Sequence, residues 1–140
     1  MIPLISSPPD ARRILAIDPG RDKCGVAVVE ASGEVIMHSI CPRQNVPALL
    51  PALIQEYTIT EIVLGNATTS QPLHQEIHDI VPGLPIAMVD ETGSTLEARP
   101  LYWQANPPVG WRRLLPLSLQ VPPAPIDDFA AVVLARRYLS

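Results

Sequence analysis

The sequence predicts an α/β protein in which a mixed five-stranded sheet is flanked by helices. Three apolar runs near the start are separated only by tight turns, and two later runs each follow a stretch with helical spacing. Strands joined by tight turns pair antiparallel, whereas strands reached through helices return parallel to the first. The chain has 140 residues, 47% of them hydrophobic, so we expect residues 1–140 to form a single domain with its own core.

The first three strands form an antiparallel meander in this interpretation. Ile14 to Ile17 is fully apolar, Gly25 to Val29 is the second run, and Glu34 to Ile40 is the third. Ala-Ser-Gly at 31–33 has the composition of a hairpin turn. The sequence therefore places these three strands side by side.

The first helix is predicted after the third strand, with Asn45 as its cap. Apolar residues recur between 46 and 57 with a period of 3.6 residues. Pro51 lies one turn inside this stretch and is expected to delay or kink the helix. The fourth strand, Glu61 to Leu64, then ends at Gly65.

The second half of the chain alternates helices and one further strand. Apolar residues between 73 and 81 share one helical face, and residues 84 to 89 form the fifth strand. A third helix opening at Ser94 is expected to be cut or kinked at Pro100. Prolines exclude regular helix between 105 and 125, which is predicted to be one long loop.

Acidic side chains stand at the ends of two predicted strands and at the start of the last helix. Asp18 closes the first strand, Glu91 follows the fifth, and Asp127 and Asp128 open a helix over 126–139. Parallel strands end at one edge of the sheet, where open α/β sheets bind their ligands. Carboxylates gathered there raise one another's pKa unless a divalent cation compensates them, and oxygen ligands favour Mg²⁺ or Mn²⁺. The sequence thus predicts Asp18, Glu91 and Asp127 as catalytic acids and metal ligands.

Helical spacing distinguishes the two acids of the last helix. Asp127 shares a face with Ala130, Ala131 and Leu134, and the alanines allow this face to approach the sheet closely. Asp128 lies about 100° further around the helix. Asp127 is therefore the expected ligand, and Asp128 stays a further metal candidate. Taken singly, each acid could instead be a helix cap, a turn residue or a solvated loop residue.

The charge pattern permits a nucleic-acid partner without requiring one. The net charge is −4, which argues against binding by non-specific phosphate attraction, yet the cations are clustered and nine of the ten are arginines. Trp111 beside two arginines is typical of a base-stacking tip, although its ring could equally pack on the domain. The candidate nucleic-acid contacts are Arg21, Lys23, Thr68, Thr69, Ser70, Arg99, Trp111, Arg112 and Arg113.

The N-terminal residues and the cysteines indicate a soluble cytoplasmic protein. Residues 1 to 10 lack the basic start and apolar stretch of a signal peptide, and no apolar run is long enough for a membrane span. Cys24 and Cys41 have no zinc-binding spacing and are expected to be reduced thiols, with a disulfide as the alternative.

Three segments resemble, in order, the motifs of the YqgF family. This family consists of Holliday-junction-resolvase-like nucleases of the ribonuclease H-like superfamily. "ILAIDPGRDKCGVAVVE" (14–30) is similar to the family's first motif, "VDETGSTLEAR" (89–99) to its second and "IDDFAAVVLARRYL" (126–139) to its closing helix. The resemblance implies a ribonuclease H-like fold and a Mg²⁺- or Mn²⁺-dependent endonuclease acting on branched DNA or on precursor small-subunit ribosomal RNA. Carried over by position, the catalytic acids are again Asp18, Glu91 and Asp127.

Some features depart from the family pattern. The family usually has a Gly-x-Pro loop after the fourth strand, where this chain has Gly-Asn-Ala-Thr-Thr-Ser at 65–70, and Pro100 interrupts a helix that the family continues. A non-catalytic nucleic-acid- or protein-binding module on the same fold is therefore the alternative function. Leucines within the 105–125 loop suggest a subunit interface, and a two-fold symmetric junction would require a homodimer.

Overall fold

The computed structural model describes residues 11–67 and 70–140, within which five strands form one mixed sheet. The strands are β1 (Arg13–Asp18), β2 (Lys23–Glu30), β3 (Val35–Pro42), β4 (Glu61–Gly65) and β5 (Ile86–Val89). Their order across the sheet is β3-β2-β1-β4-β5. β1 pairs antiparallel with β2 and parallel with β4, and β5 is parallel to β4. The predicted mixed sheet, with three antiparallel strands and then two parallel ones, is confirmed.

Four α-helices cover the two faces of the sheet. They are α1 (Val46–Tyr57), α2 (Ser70–Ile80), α3 (Ser94–Ala105) and α4 (Asp127–Leu139). Leu15 and Ile17 of β1 pack with apolar residues of α1 and α2, whereas Ile14 and Ala16 pack with α4. Side chains alternate between faces along a strand, so Asp18, two residues beyond Ala16, lies on the α4 face. None of the helices in the described ranges is long and apolar enough to span a membrane.

Small residues let the start of α4 lie directly on the sheet. A Cβ at Gly25 would collide with the backbone carbonyl of Asp127, so only glycine fits there. Gly25 is also the cross-strand partner of Asp18. Ala131 is buried against the sheet as predicted, whereas Ala130 is buried against α3. This close packing brings the first residue of α4 to the carboxyl end of β1.

The expectations that Pro51 delays the first helix and that Pro100 cuts the third are wrong, whereas a kink at either proline stays a prediction. The third helix runs through Pro100, and α1 likewise contains Pro51 within its length. α3 persists because Ala98, Tyr102 and Trp103 bury one face of it against α4, and such packing outweighs a cost of about 3 kcal/mol for proline in a helix interior. The 105–125 segment has no regular α-helix beyond Ala105, but 3-10 helices form at Gly110–Leu114 and Leu117–Leu119.

Candidate active site at the sheet edge

Three of the predicted acids lie at the edge of the sheet where the parallel strands end. Asp18 is the last residue of β1, Glu91 follows β5, and Asp127 is the first residue of α4. The charges of both Glu91 and Asp127 act on the carboxyl group of Asp18. Three chain segments that are far apart in the sequence therefore contribute to one acidic site.

Crowding of these groups changes their affinity for protons. The pKa of Asp18 is raised to about 7, first by burial and then by repulsion from the charges of Glu91 and Asp127. A hydrogen bond between Asp18 and Glu91 keeps the shared proton on Asp18. Burial also raises the pKa of Glu91, although that hydrogen bond opposes the rise. In the absence of a cation, the site holds a proton well above the pH at which a free carboxyl group would release it.

The position of Glu91 depends on the end of β4. A Cβ at Gly65 would collide with Oε2 of Glu91, and it would also lie 3.0 Å from Pro19 and 3.1 Å from Leu134. Asn66 follows directly, and its Oδ1 accepts a hydrogen bond of 3.4 Å from the backbone N–H of Glu91. Oε2 of Glu91 is buried and has no hydrogen-bond partner among the described residues.

Lys23 supplies positive charge at the opposite side of the site. Its Nζ lies 3.5 Å from Oδ2 of Asp127. Lys23 begins β2, two residues before Gly25, so the same strand that supports Asp127 also neutralises part of its charge. The predicted phosphate contact thus has a place beside the acids.

Asp128 does not join this group. Its Oδ2 lies 2.7 Å from Nδ1 of His38 on β3, and its Oδ1 accepts a hydrogen bond of 3.0 Å from the backbone N–H of Phe129. The His38 ring in turn packs against Phe129, with centroids 4.8 Å apart. Both oxygens of Asp128 are therefore engaged away from Asp18, and the structure does not place it with the other three acids.

The donor set fits a hard divalent cation, although no such site is fully assembled. Within residues 11–67 and 70–140, no three His, Cys, Asp or Glu side chains are already gathered as a group that could hold a metal ion. The available donors are all carboxylate oxygens, and one of them, Oε2 of Glu91, is buried without a partner. Such a set matches Mg²⁺ or Mn²⁺ better than zinc.

Comparison with known proteins identifies the family. The sequence profile described as the Tex protein YqgF-like domain matches residues 12–98, which is more than half of the chain. The chain belongs to this family. The family resemblance inferred from the three motifs is therefore confirmed.

Relatives of this YqgF-like domain include one curated protein and two solved structures. A Dictyoglomus thermophilum protein named a putative pre-16S rRNA nuclease is 28% identical over an alignment of 142 positions, which covers 91% of this chain and 94% of that protein. The structure of Thermus thermophilus RuvC has a TM-score of 0.57 at 13% identity, covering 88% of this chain and 90% of RuvC. T. thermophilus RuvC in complex with a Holliday junction substrate gives a TM-score of 0.55 at 14% identity, covering 89% and 90%. The likeness to RuvC confirms the predicted ribonuclease H-like fold.

The remaining predicted contacts of the YqgF-like domain are spread around the acidic site. Arg21 is exposed in a polar cleft of about 570 Å³ that Arg43 and Glu76 also line. Thr68 and Thr69 lie outside the described residues. Ser70 is buried, and its Oγ donates a hydrogen bond of 2.6 Å to the carbonyl of Ala67, so this hydroxyl already has a local partner.

The other predicted cations belong to α3 and to the segment that follows it. Arg99 is half-buried in α3, and its Nε has no hydrogen-bond partner among the described residues. Trp111, Arg112 and Arg113 lie on the 3-10 helix at 110–114 and are exposed. The structure does not bring this tryptophan–arginine segment into contact with the three acids.

Sequence reasoning missed the residues that shape the site without being chemically reactive. Gly25 and Gly65 allow close backbone approach, Asn66 holds the backbone of Glu91, and Arg43 pairs with Glu76 at 3.0 Å beside Arg21. A glycine at the end of an apolar strand is a known signal of close approach, so Gly65 was within reach of sequence reasoning. The Arg43–Glu76 pair joins residues far apart in sequence and carries no such signal.

Proposed function

We propose that this YqgF-like domain is a divalent-metal-dependent nuclease that hydrolyses phosphodiester bonds of structured nucleic acid in the cytoplasm. The convergence of Asp18, Glu91 and Asp127 carries the proposal. Burial raises the pKa of Asp18, and the charges of Glu91 and Asp127 contribute to a value of about 7. A chain gains nothing in stability from such an arrangement, since buried like charges repel one another. A site of this kind is expected where a cation and a phosphate complete the charge balance.

The residues have distinct parts in this proposal. Asp18, Glu91 and Asp127 would hold Mg²⁺ or Mn²⁺, and such an ion supplies positive charge toward the scissile phosphate and acidity to a water molecule. Asp18 is central, because it interacts with both other acids. Gly65 and Asn66 fix Glu91, while Gly25 fixes the backbone of Asp127. Lys23, whose Nζ lies 3.5 Å from Oδ2 of Asp127, would contact a phosphate of the substrate.

The similarity to a named relative supports one substrate over the others. The D. thermophilum protein is named a pre-16S rRNA nuclease, and the alignment spans nearly all of both chains. We therefore propose precursor small-subunit ribosomal RNA as the substrate. The likeness to RuvC supports the fold alone, so a four-way DNA junction serves as the comparison substrate. A dimer is required by the junction alternative, because paired cuts on a symmetric junction need two active sites.

A cleavage assay with matched carboxylate variants tests this function. End-labelled precursor ribosomal RNA and a four-way junction are incubated with the purified chain in Mg²⁺, in Mn²⁺ and in a chelator. We expect metal-dependent cutting of the RNA and a loss of about a hundredfold or more in Asp18→Asn. Asp79→Asn removes an exposed carboxylate of α2 and serves as the control that retains activity.

Each possible result of the assay has a definite meaning. Cutting that persists in Asp18→Asn or in the chelator would overturn the mechanism. Binding of RNA without any cutting would favour the non-catalytic module. Cutting of the junction alone would replace the proposed substrate while leaving the proposed chemistry intact.

A further inference from the structure

The segment between α3 and α4 presents an unusual number of large apolar side chains to solvent. Val109, Trp111, Leu114, Leu119 and Val121 are each at least 69% exposed. A contiguous patch of exposed apolar side chains on a soluble protein often marks a binding surface. This segment leads directly into Ile126 and Asp127, so a ligand bound here is joined to the acidic site by a short stretch of chain.

A buried glutamine fixes the conformation of this segment. Gln120 is only 6% exposed. Its Nε2 donates hydrogen bonds to the carbonyl of Arg112 at 2.8 Å and to the carbonyl of Leu115 at 3.1 Å. These two bonds tie the 3-10 helix at 110–114 to the chain that follows. The exposed apolar side chains are therefore held on a defined turn.

The other end of the same side chain is unsatisfied. Oε1 of Gln120 is shielded from solvent and accepts no hydrogen bond from the described residues. The amide orientation is fixed, because only Nε2 can donate to the two carbonyls. A buried acceptor without a donor is costly, so the two hydrogen bonds from Nε2 hold Gln120 in place against that cost.

Gln120 lines a small cavity whose walls suit a planar ring. The cavity has a volume of about 300 Å³, and its lining includes Trp111, Arg112, Leu115 and Leu119. The guanidinium carbon of Arg112 lies 5.9 Å from the centroid of the Trp111 ring, so charge and aromatic surface are adjacent. Aromatic and guanidinium planes are the groups on which unpaired bases stack.

The charge around the cavity favours a polyanion. No Asp or Glu occurs between Glu97 and Asp127, although the chain as a whole has a net charge of −4. Arg112 and Arg113 are both exposed on the 3-10 helix. This segment is therefore a cationic region on an acidic protein, next to an apolar cavity.

We infer that this cavity binds one unpaired nucleotide of a nucleic acid strand, with the base against Trp111 and the flanking phosphates on Arg112 and Arg113. The apolar side chains of the lining contact the base, and the two hydrogen bonds of Gln120 hold the turn that carries them. This site deepens the proposed function, because it assigns the nuclease a subsite for a single-stranded nucleotide away from the cut.

The test separates base recognition from phosphate attraction and from cleavage. Binding is measured in chelator with the Asp18→Asn chain, which keeps the substrate intact. The probes are a short single-stranded oligonucleotide and the same oligonucleotide with abasic sites. The decisive quantity is the ratio of the two affinities, since both probes carry the same phosphates.

We expect Trp111→Ala to reduce binding of the intact oligonucleotide about tenfold and to leave the abasic one nearly unchanged. Arg113→Gln, which removes a charge outside the cavity lining, should reduce the affinity for both probes by the same factor and leave the ratio of the two affinities unchanged. Leu114→Ala, the most exposed apolar position of the segment and not part of the cavity, should alter neither affinity. All three replaced side chains are exposed, so the variants are expected to fold normally, and circular dichroism verifies it.

Equal affinity of the wild-type surface for both probes would overturn the nucleotide site. So would a wild-type dimer, detected by sedimentation, that Trp111→Ala converts to a monomer without changing oligonucleotide binding; that result would assign the surface to a second copy. Because oligonucleotide binding is measured without metal or cleavage, the nucleotide site and the nuclease activity are tested independently. The site can be absent from an active nuclease, and it can be present in a protein that does not cut RNA.

Discussion

Gly65 and Glu91 lie so close together that any side chain at position 65 would displace the carboxylate of Glu91. A Cβ at position 65 would collide with Oε2 of Glu91, and two further groups, on Pro19 and Leu134, block any escape at 3.0 and 3.1 Å. Gly65 ends β4 in register with Val89, the last residue of β5. Glu91 is therefore positioned by the absence of a side chain on the neighbouring strand.

Gly65→Ala is expected to destabilise the protein and to disable the acidic site together. The added methyl group overpacks a rigid neighbourhood, at a cost of about 1–3 kcal/mol, and pushes Glu91 away from Asp18. Urea unfolding measures the first effect and RNA cleavage the second. Gly83→Ala is the matched control, because nothing lies within 4 Å of a Cβ there. Unchanged cleavage in Gly65→Ala would show that the position of Glu91 is unimportant.

The raised pKa of Asp18 predicts a specific dependence of stability on pH. The pKa is about 7 in the folded protein against an ordinary value of 3.8, so the folded state binds this proton more tightly than the unfolded state does. The free energy of unfolding in chelator should therefore decrease, through this group, as the pH rises from 3.8 toward 7.

Asp18→Asn removes this dependence. At pH 8 the free energy of unfolding of the variant should exceed that of the wild type by about 2 kcal/mol. This is roughly half of the difference that 1.4 kcal/mol per unit of pKa shift would give, because solvent screens part of the repulsion. At pH 4 the two proteins should be nearly equally stable. Unfolding curves at both pH values decide the matter, and a constant difference between the proteins would contradict the assigned pKa.

Addition of Mn²⁺ should reverse the destabilising effect of the carboxylates. A cation that binds the folded protein raises its melting temperature by mass action, here by roughly 5 °C at millimolar Mn²⁺. The rise should be larger at pH 8 than at pH 6, because the ion competes with the proton on Asp18. Differential scanning calorimetry of wild type and Asp18→Asn measures it, with Asp79→Asn as control. An equal rise in Asp18→Asn would place the ion elsewhere.

The sequence was sufficient for the sheet, because the order of strands and helices depends on local periodicity. The alternation in β1 and the alanine spacing in α4 each encode which way a side chain points. It was insufficient where a distant partner decides the outcome. His38 binds Asp128 from 90 positions away, and the burial of Tyr102 and Trp103 keeps α3 intact despite Pro100. Neither partner is visible in the local pattern.

Pro100→Ala tests the explanation for α3. If packing sustains the helix against the proline, the substitution should raise the free energy of unfolding by about 1–2 kcal/mol, somewhat less than the full helix penalty because proline also restricts the unfolded chain. Pro100 is exposed, so no core contact is lost. Cleavage activity should be unchanged. A decrease in stability would mean that a kink at Pro100 is required for α3 to fit against α4.

The neighbouring acids at the start of α4 give the most direct test of the site. Asp127 contacts Lys23 at 3.5 Å, and its charge acts on Asp18, whereas both oxygens of Asp128 are engaged by His38 and Phe129. Asp127→Asn should therefore reduce Mn²⁺ affinity about tenfold or more, which is a change of at least 1.4 kcal/mol. Asp128→Asn should leave Mn²⁺ affinity within about twofold of the wild type and should lower the free energy of unfolding by about 1 kcal/mol. Titration calorimetry and urea unfolding of the two variants provide both measurements. Because the substitutions are chemically identical and one residue apart, a larger loss of Mn²⁺ affinity in Asp128→Asn would show that the helix presents the other carboxylate to the ion.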